Sequence, residues 1–136
     1  MVRALLVIFV GLVLGGCSAG EKIAAARSEA ARFHSLLNAG KYGEIYAGSS
    51  PELKAAETQE HFVTYLTAVH RKLGAAGESS QRSFDVNVAP DGTQVALNYR
   101  TRFAKGDAAE TFVFSSNDNA TKLVRYSIDS EATEVE

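Results

Sequence analysis

The chain has 136 residues, with 14 Lys and Arg against 16 Asp and Glu, a formal charge of −2, 46% hydrophobic residues and a single Cys. That length suits one domain with one core, and the lack of a basic excess argues against a nucleic-acid partner. One Cys cannot close an internal disulfide, so the fold must stand on packing.

At the N-terminus Arg3 and the α-amino group make a small positive stretch, Ala4 to Leu14 are apolar throughout, and Gly15-Gly16-Cys17 follow. As a helix that apolar run rises about 16 Å, short of a hydrocarbon core of about 30 Å. It has the proportions of a secretory signal segment rather than a membrane span. The run Leu14-Gly15-Gly16-Cys17 resembles the lipobox of bacterial lipoproteins, with an ordinary signal peptide or a weak membrane anchor as the alternative. The resemblance implies that residues 1–16 are removed and that Cys17 is the lipid-attachment residue, acylated on its sulfur and new amino group. Multiple acyl chains would hold the chain stably at a membrane. Ser18 in place of Asp implies, by the rule of enteric-type lipoproteins, an outer-membrane address facing the periplasm. Removing 16 of the 136 residues leaves 120 and deletes Arg3. Acylation also uses the only thiol, so cysteine-based metal sites are excluded. Residues 17–20 then form a tether, and the three after Cys17 reach roughly 10 Å. A domain over 21–130 is therefore expected close to the bilayer, with an acidic tail at 131–136.

From Glu21 to Ala39, Ile23, Ala26, Ala30, Phe33 and Leu37 recur three or four apart among Ala, Arg, Lys and Leu, which predicts a helix with one apolar stripe. Gly40 is placed to end it as a left-handed cap. Tyr42, Ile45 and Tyr46 make a short second helix or turn before Gly48. Ser49 or Ser50 before Pro51-Glu52 reads as an N-cap with proline in the first turn. Thr58 to Leu73 is a further helix with Phe62, Tyr65, Leu66, Val69 and Leu73 on one face and Gly74 as its stop. Ala75 to Ser80 is small and polar and reads as a loop.

Beyond Gln81 the period becomes two, with Phe84, Val86 and Val88 on one face. An Asp91-Gly92 turn pairs Val88 with Val95, Val86 with Leu97 and Phe84 with Tyr99. A Lys105-Gly106 turn sets Phe103 against Ala108, Thr101 against Glu110, Tyr99 against Phe112 and Leu97 against Phe114. A three-residue loop Asp118-Asn119-Ala120 sets Val124 against Phe114, Tyr126 against Phe112 and Ile128 beside Glu110. Three turns agree on one apolar face, and a one-residue slip at any of them would destroy the agreement. The expected fold is α+β, with N-terminal helices packed on one face of a curved four-stranded antiparallel meander.

Gly40-Lys41-Tyr42 with Tyr46, the Leu73-Gly74 helix end, and Glu110-Thr111-Phe112 followed by Leu123, Tyr126 and Ile128 carry a further resemblance. The order is similar to the cone-shaped fold shared by nuclear transport factor two and ketosteroid isomerase, and more closely to small bacterial lipoproteins of uncharacterised families with that fold. A cystatin-like helix on a sheet is the alternative, although it needs one long helix fewer. Isomerase chemistry in that cone requires a carboxylate base facing a tyrosine and a second, protonated acid. Here Glu110 is the inner-face carboxylate of the central strands, with Tyr99, Thr101 and Tyr126 as its candidate pocket, and the second acid is missing. The plainer reading places Glu110 near a strand end, in solvent or paired with a helix arginine such as Arg32 or Arg71.

Metal and nucleophile chemistry find little support. His61 and His70 are nine residues apart and, at about 100° per residue, lie on opposite sides of their helix. His34 flanks the apolar stripe of the first helix as a rim or core-edge residue, and no His-Glu pair has zinc-ligand spacing. No Gly-x-Ser-x-Gly elbow is present, and Ser49, Ser50, Ser79, Ser80, Ser115 and Ser116 are assigned to caps and turns. No metal or cofactor is expected. On the outer sheet face Arg100, Arg102 and Arg125, beside Val113 and Leu123, form a candidate partner face, against the simpler reading of a solvated, charge-protected sheet. The expectation is an envelope lipoprotein acting as a binding or interaction module for a protein partner or a small apolar ligand, a homodimer included. A small-molecule enzyme using Glu110 is the alternative.

Overall fold

The computed structural model describes residues 19–90, 92–117 and 120–130, so Cys17, the expected signal segment, the expected acidic tail and the turn residues Asp91, Asp118 and Asn119 lie outside the described residues. Four helices precede four strands: α1 (Ala19–Asn38), α2 (Tyr42–Ala47), α3 (Pro51–Ala56), α4 (Gln59–Leu73), β1 (Ala76–Ala89), β2 (Gly92–Phe103), β3 (Gly106–Ser116) and β4 (Thr121–Ser130). The strands form one antiparallel sheet in the order β1-β2-β3-β4, the meander expected of an α+β chain with segregated elements.

The helix signals act as their chemistry dictates. α1 buries Ala26, Ala30, Phe33 and Leu37 and ends before Gly40, whose φ of 72° is left-handed. It begins at Ala19, so two residues assigned to the tether are helical. Ser50 caps α3 by accepting from Leu53 N at 3.2 Å, and Thr58 caps α4 by accepting from His61 N at 3.2 Å. α4 buries Phe62, Leu66, Val69 and Leu73. α1 lies across the sheet, α3 packs on β4, and α4 packs against α2 and α1. Lys105 N donates to Leu73 O at 2.8 Å, which ties the β2–β3 turn to the end of α4.

The sheet corrects several expectations. Ala76 to Ser80 are strand rather than loop: Ser79 and Ser80 pair with Thr101 and Arg100, because the long β2 offers backbone partners over its whole length. Ser115 and Ser116 are likewise strand residues. Both of the first two hairpins are registered two residues away from expectation. Ala89 pairs with Gly92 and Val86 with Val95, while Phe103 pairs with Gly106 and Leu97 with Phe112. In each case the glycine closes the hairpin as its first paired residue, with φ of 143° at Gly92 and 155° at Gly106, a backbone region that suits glycine. A slip of two preserves the face, so the apolar side remains the apolar side.

The third hairpin keeps the expected pairs Phe112–Tyr126 and Glu110–Ile128, but Phe114 meets Leu123 because the register shifts between Val113 and Phe114. Val124 is the extra residue of a bulge. The bulge turns Leu123 inward, where it is 6% exposed within the core, and removes it from the outer face where it was expected.

Candidate functional site

Glu110 sits in the middle of β3, between Tyr99 and Ile128, and is 1% exposed. It is therefore neither at a strand end nor in solvent, and its helix partner is a histidine rather than Arg32 or Arg71. His34 Nε2 lies 2.7 Å from Glu110 Oε1. Thr101 Oγ1 donates to the same oxygen at 2.5 Å, and Tyr126 OH donates to Oε2 at 2.5 Å. Each partner comes from a different element: α1, β2 and β4. A buried carboxylate without such donors would be costly, and these three account for both of its oxygens.

Aromatic rings surround the cluster. Phe33 meets Phe112 edge-on at 5.1 Å and Tyr126 at 4.4 Å, and His34 meets Phe112 edge-on at 5.6 Å. Burial, and then the adjacent Glu110 charge, hold the Tyr126 phenol well above its ordinary pKa, so it stays a donor. Tyr99 is raised as well, chiefly by burial, with Arg27 opposing.

Of the expected pocket residues, Thr101, Glu110 and Tyr126 are joined by hydrogen bonds, and Tyr99 is Glu110's cross-strand neighbour. Thr101, Glu110 and Tyr126 form a buried polar knot. The space beside it is an external groove of about 420 Å³ walled by Arg27, His34, Asn38, Ser79 and Tyr99 among others. His34 belongs to both, since its side chain is 13% exposed. Its place at the core edge was legible from α1's periodicity, but its bond to Glu110 was not, because the two residues are 76 apart in sequence. Ser79 extends the knot by bonding Thr101 Oγ1 at 2.8 Å.

The other histidines stand apart. His70 Nδ1 is 2.8 Å from Tyr42 OH, while His61 faces Glu57 at 3.4 Å on an exposed surface. No group of three or more His, Cys, Asp and Glu among the described residues is arranged to hold a metal.

A family of proteins of unknown function, DUF4019, matches residues 29–126. The chain belongs to this family. The matched region runs from the middle of α1 to Tyr126 and so contains His34, Thr101, Glu110 and Tyr126. No curated protein matches the chain.

The candidate partner face is divided. Arg100 and Arg102 both approach Asp107, at 3.7 and 3.9 Å, and line a groove of about 320 Å³ with Glu78 and Arg82. Arg125 pairs with Val113, two strands over from β2 and four positions along from Asp129, the β4 residue level with Arg100. At strand spacing that is about 10 Å across and about 13 Å along. The three arginines therefore do not converge on one point, and Asp107 screens the first two. No described helix is long and apolar enough to cross a membrane.

Proposed function

We propose that the protein is a bacterial envelope lipoprotein, anchored through acylated Cys17, whose domain has the cone fold of nuclear transport factor two and ketosteroid isomerase and works as a non-enzymatic binding or interaction module. The anchor rests on Leu14-Gly15-Gly16-Cys17 and on α1 beginning two residues later. One observation carries the non-enzymatic reading: both oxygens of Glu110 are committed to His34, Thr101 and Tyr126, and the residue is 1% exposed. A base held in this way and this deeply buried is not open to a substrate. The inner face is occupied by Phe33, Phe62, Phe112 and Tyr126, all buried, which favours recognition on external surfaces.

Intact mass and thiol titration of the protein purified from bacterial membranes test the anchor. Because the chain has one Cys, the expected result is a species starting at Cys17, heavier by its acyl chains and unreactive to maleimide. A free thiol at Cys17 would refute the assignment. Native mass spectrometry of the same preparation then separates a bound small ligand from a protein partner or a dimer.

A second reading is favoured by His34, whose imidazole is held by a buried carboxylate and lies in the wall of an open groove with Tyr99 and Ser79. A carboxylate that orients a partly exposed imidazole is a common general-base arrangement. Turnover of ester, amide or ketone substrates that disappears in His34→Gln would establish it. Equal rates in the two proteins would leave His34 a structural partner of Glu110.

A further inference from the structure

The inner face of the sheet is not covered to its edge. Phe84 is 53% and Val88 76% exposed, although they pair with Leu97 and Thr93, which are buried. Val86, between them, packs against the core. β1 is an edge strand, so nothing in the sheet lies beyond this ridge.

α1 follows the ridge. Lys22 Nζ donates to Thr93 Oγ1 at 3.0 Å, Arg27 Nε to Gln81 Oε1 at 2.7 Å, and Asn38 Nδ2 to Ala76 O at 3.0 Å. The helix therefore starts at the β1–β2 turn, where Val88 is, and ends where β1 begins. Cys17 is two residues before Ala19, so it lies within about 7 Å of the start of α1 along the chain.

We propose that Phe84 and Val88 dock on the lipid bilayer, so that the anchored domain lies against the membrane on its β1 edge. The proposal rests on acylation of Cys17. The occupant is a bilayer because that reading brings hydrocarbon to the same end of the molecule as the exposed ridge. An anchored chain holds the ridge at its target, so little further affinity is needed for docking. Insertion is apolar in character, since Glu21 offsets Lys22 on the first turn of α1, and docking should persist in high salt.

The chain has no Trp, so Phe84→Trp and Val88→Trp each introduce a single indole, excited apart from the tyrosines, at a site that is already exposed. Gln94→Trp places one on the opposite sheet face at the same end of β2. Each protein, acylated and full length as purified from membranes, is reconstituted in phosphatidylethanolamine and phosphatidylglycerol vesicles with brominated acyl chains. Expected are blue-shifted emission and at least about threefold quenching at positions 84 and 88, unchanged in high salt, with position 94 unquenched. Unquenched emission at 84 and 88 in protein whose mass shows acylation overturns the docking and leaves the anchor standing. Blue-shifted but unquenched emission does the same and assigns the ridge to a second copy of the chain. A free Cys17 thiol overturns the anchor and the docking together.

Discussion

Phe112 and Phe84 are the same residue type on the same face of one sheet, yet the first is 0% and the second 53% exposed. Both stand in alternating apolar strands. β3 lies beneath α1 and beside the aromatic cluster of Phe33 and Tyr126, whereas β1 extends beyond the edge of the helical cover. The comparison teaches that alternation shows which way a side chain points, and that a second layer determines whether it leaves water.

The largest effect should come from truncating the two phenylalanines. Phe112→Ala is expected to cost about 3–5 kcal/mol through lost burial and a residual cavity. Phe84→Ala should cost under about 1 kcal/mol, because its environment is already half solvent. Urea denaturation of the pair measures the difference directly, and equal losses would mean that β1's edge is covered in solution. Next comes the polar knot of the covered half. Glu110→Ala leaves Thr101, Tyr126 and His34 without their buried acceptor and should cost about 3 kcal/mol. A loss no larger than that of Phe84→Ala would show that water replaces the carboxylate.

Tyr126→Phe removes one donor to that carboxylate and should cost about 1–2 kcal/mol at neutral pH. Its titration adds a sign. The folded-state phenol is held above its ordinary value of 10.0, so the unfolded chain releases that proton first as pH rises. Stability from this group is complete below pH 10 and falls above it. Denaturation midpoints at successive alkaline pH values should drop more steeply in the unmodified protein than in Tyr126→Phe. The smallest effect expected of the helical layer is at the α3 cap, where Ser50→Ala should cost about 1 kcal/mol. Thermal melts resolve a change of that size.

Much of this fold was readable in the residues. The apolar stripes of α1 and α4, a serine cap before Pro51 and the inward face of β2 and β3 are local patterns, and each appears in the structure. Turn residues located the hairpins but missed two registers by two positions, because Gly92 and Gly106 serve as paired strand residues rather than within the turn. The bulge at Val124 carried no local signal, and with it went the placement of Leu123. That Tyr99, Thr101, Glu110 and Tyr126 share a sheet face was readable, because a strand's period of two is local. The histidine that completes their cluster could not be found in that way. The meeting of His34 with Glu110 depends on the angle at which α1 crosses the sheet.

By itself, then, the sequence determined the α+β order, the antiparallel meander and the inward face of β2 and β3, since these follow from periodicity and turn chemistry within a few residues. Only the tertiary structure decided that Glu110 is buried on His34, Thr101 and Tyr126 while Phe84 and Val88 are left uncovered by the helices. The physical reason is that burial depends on how far the helical layer reaches over the sheet. That reach comes from the helices packing together, and no single segment encodes it.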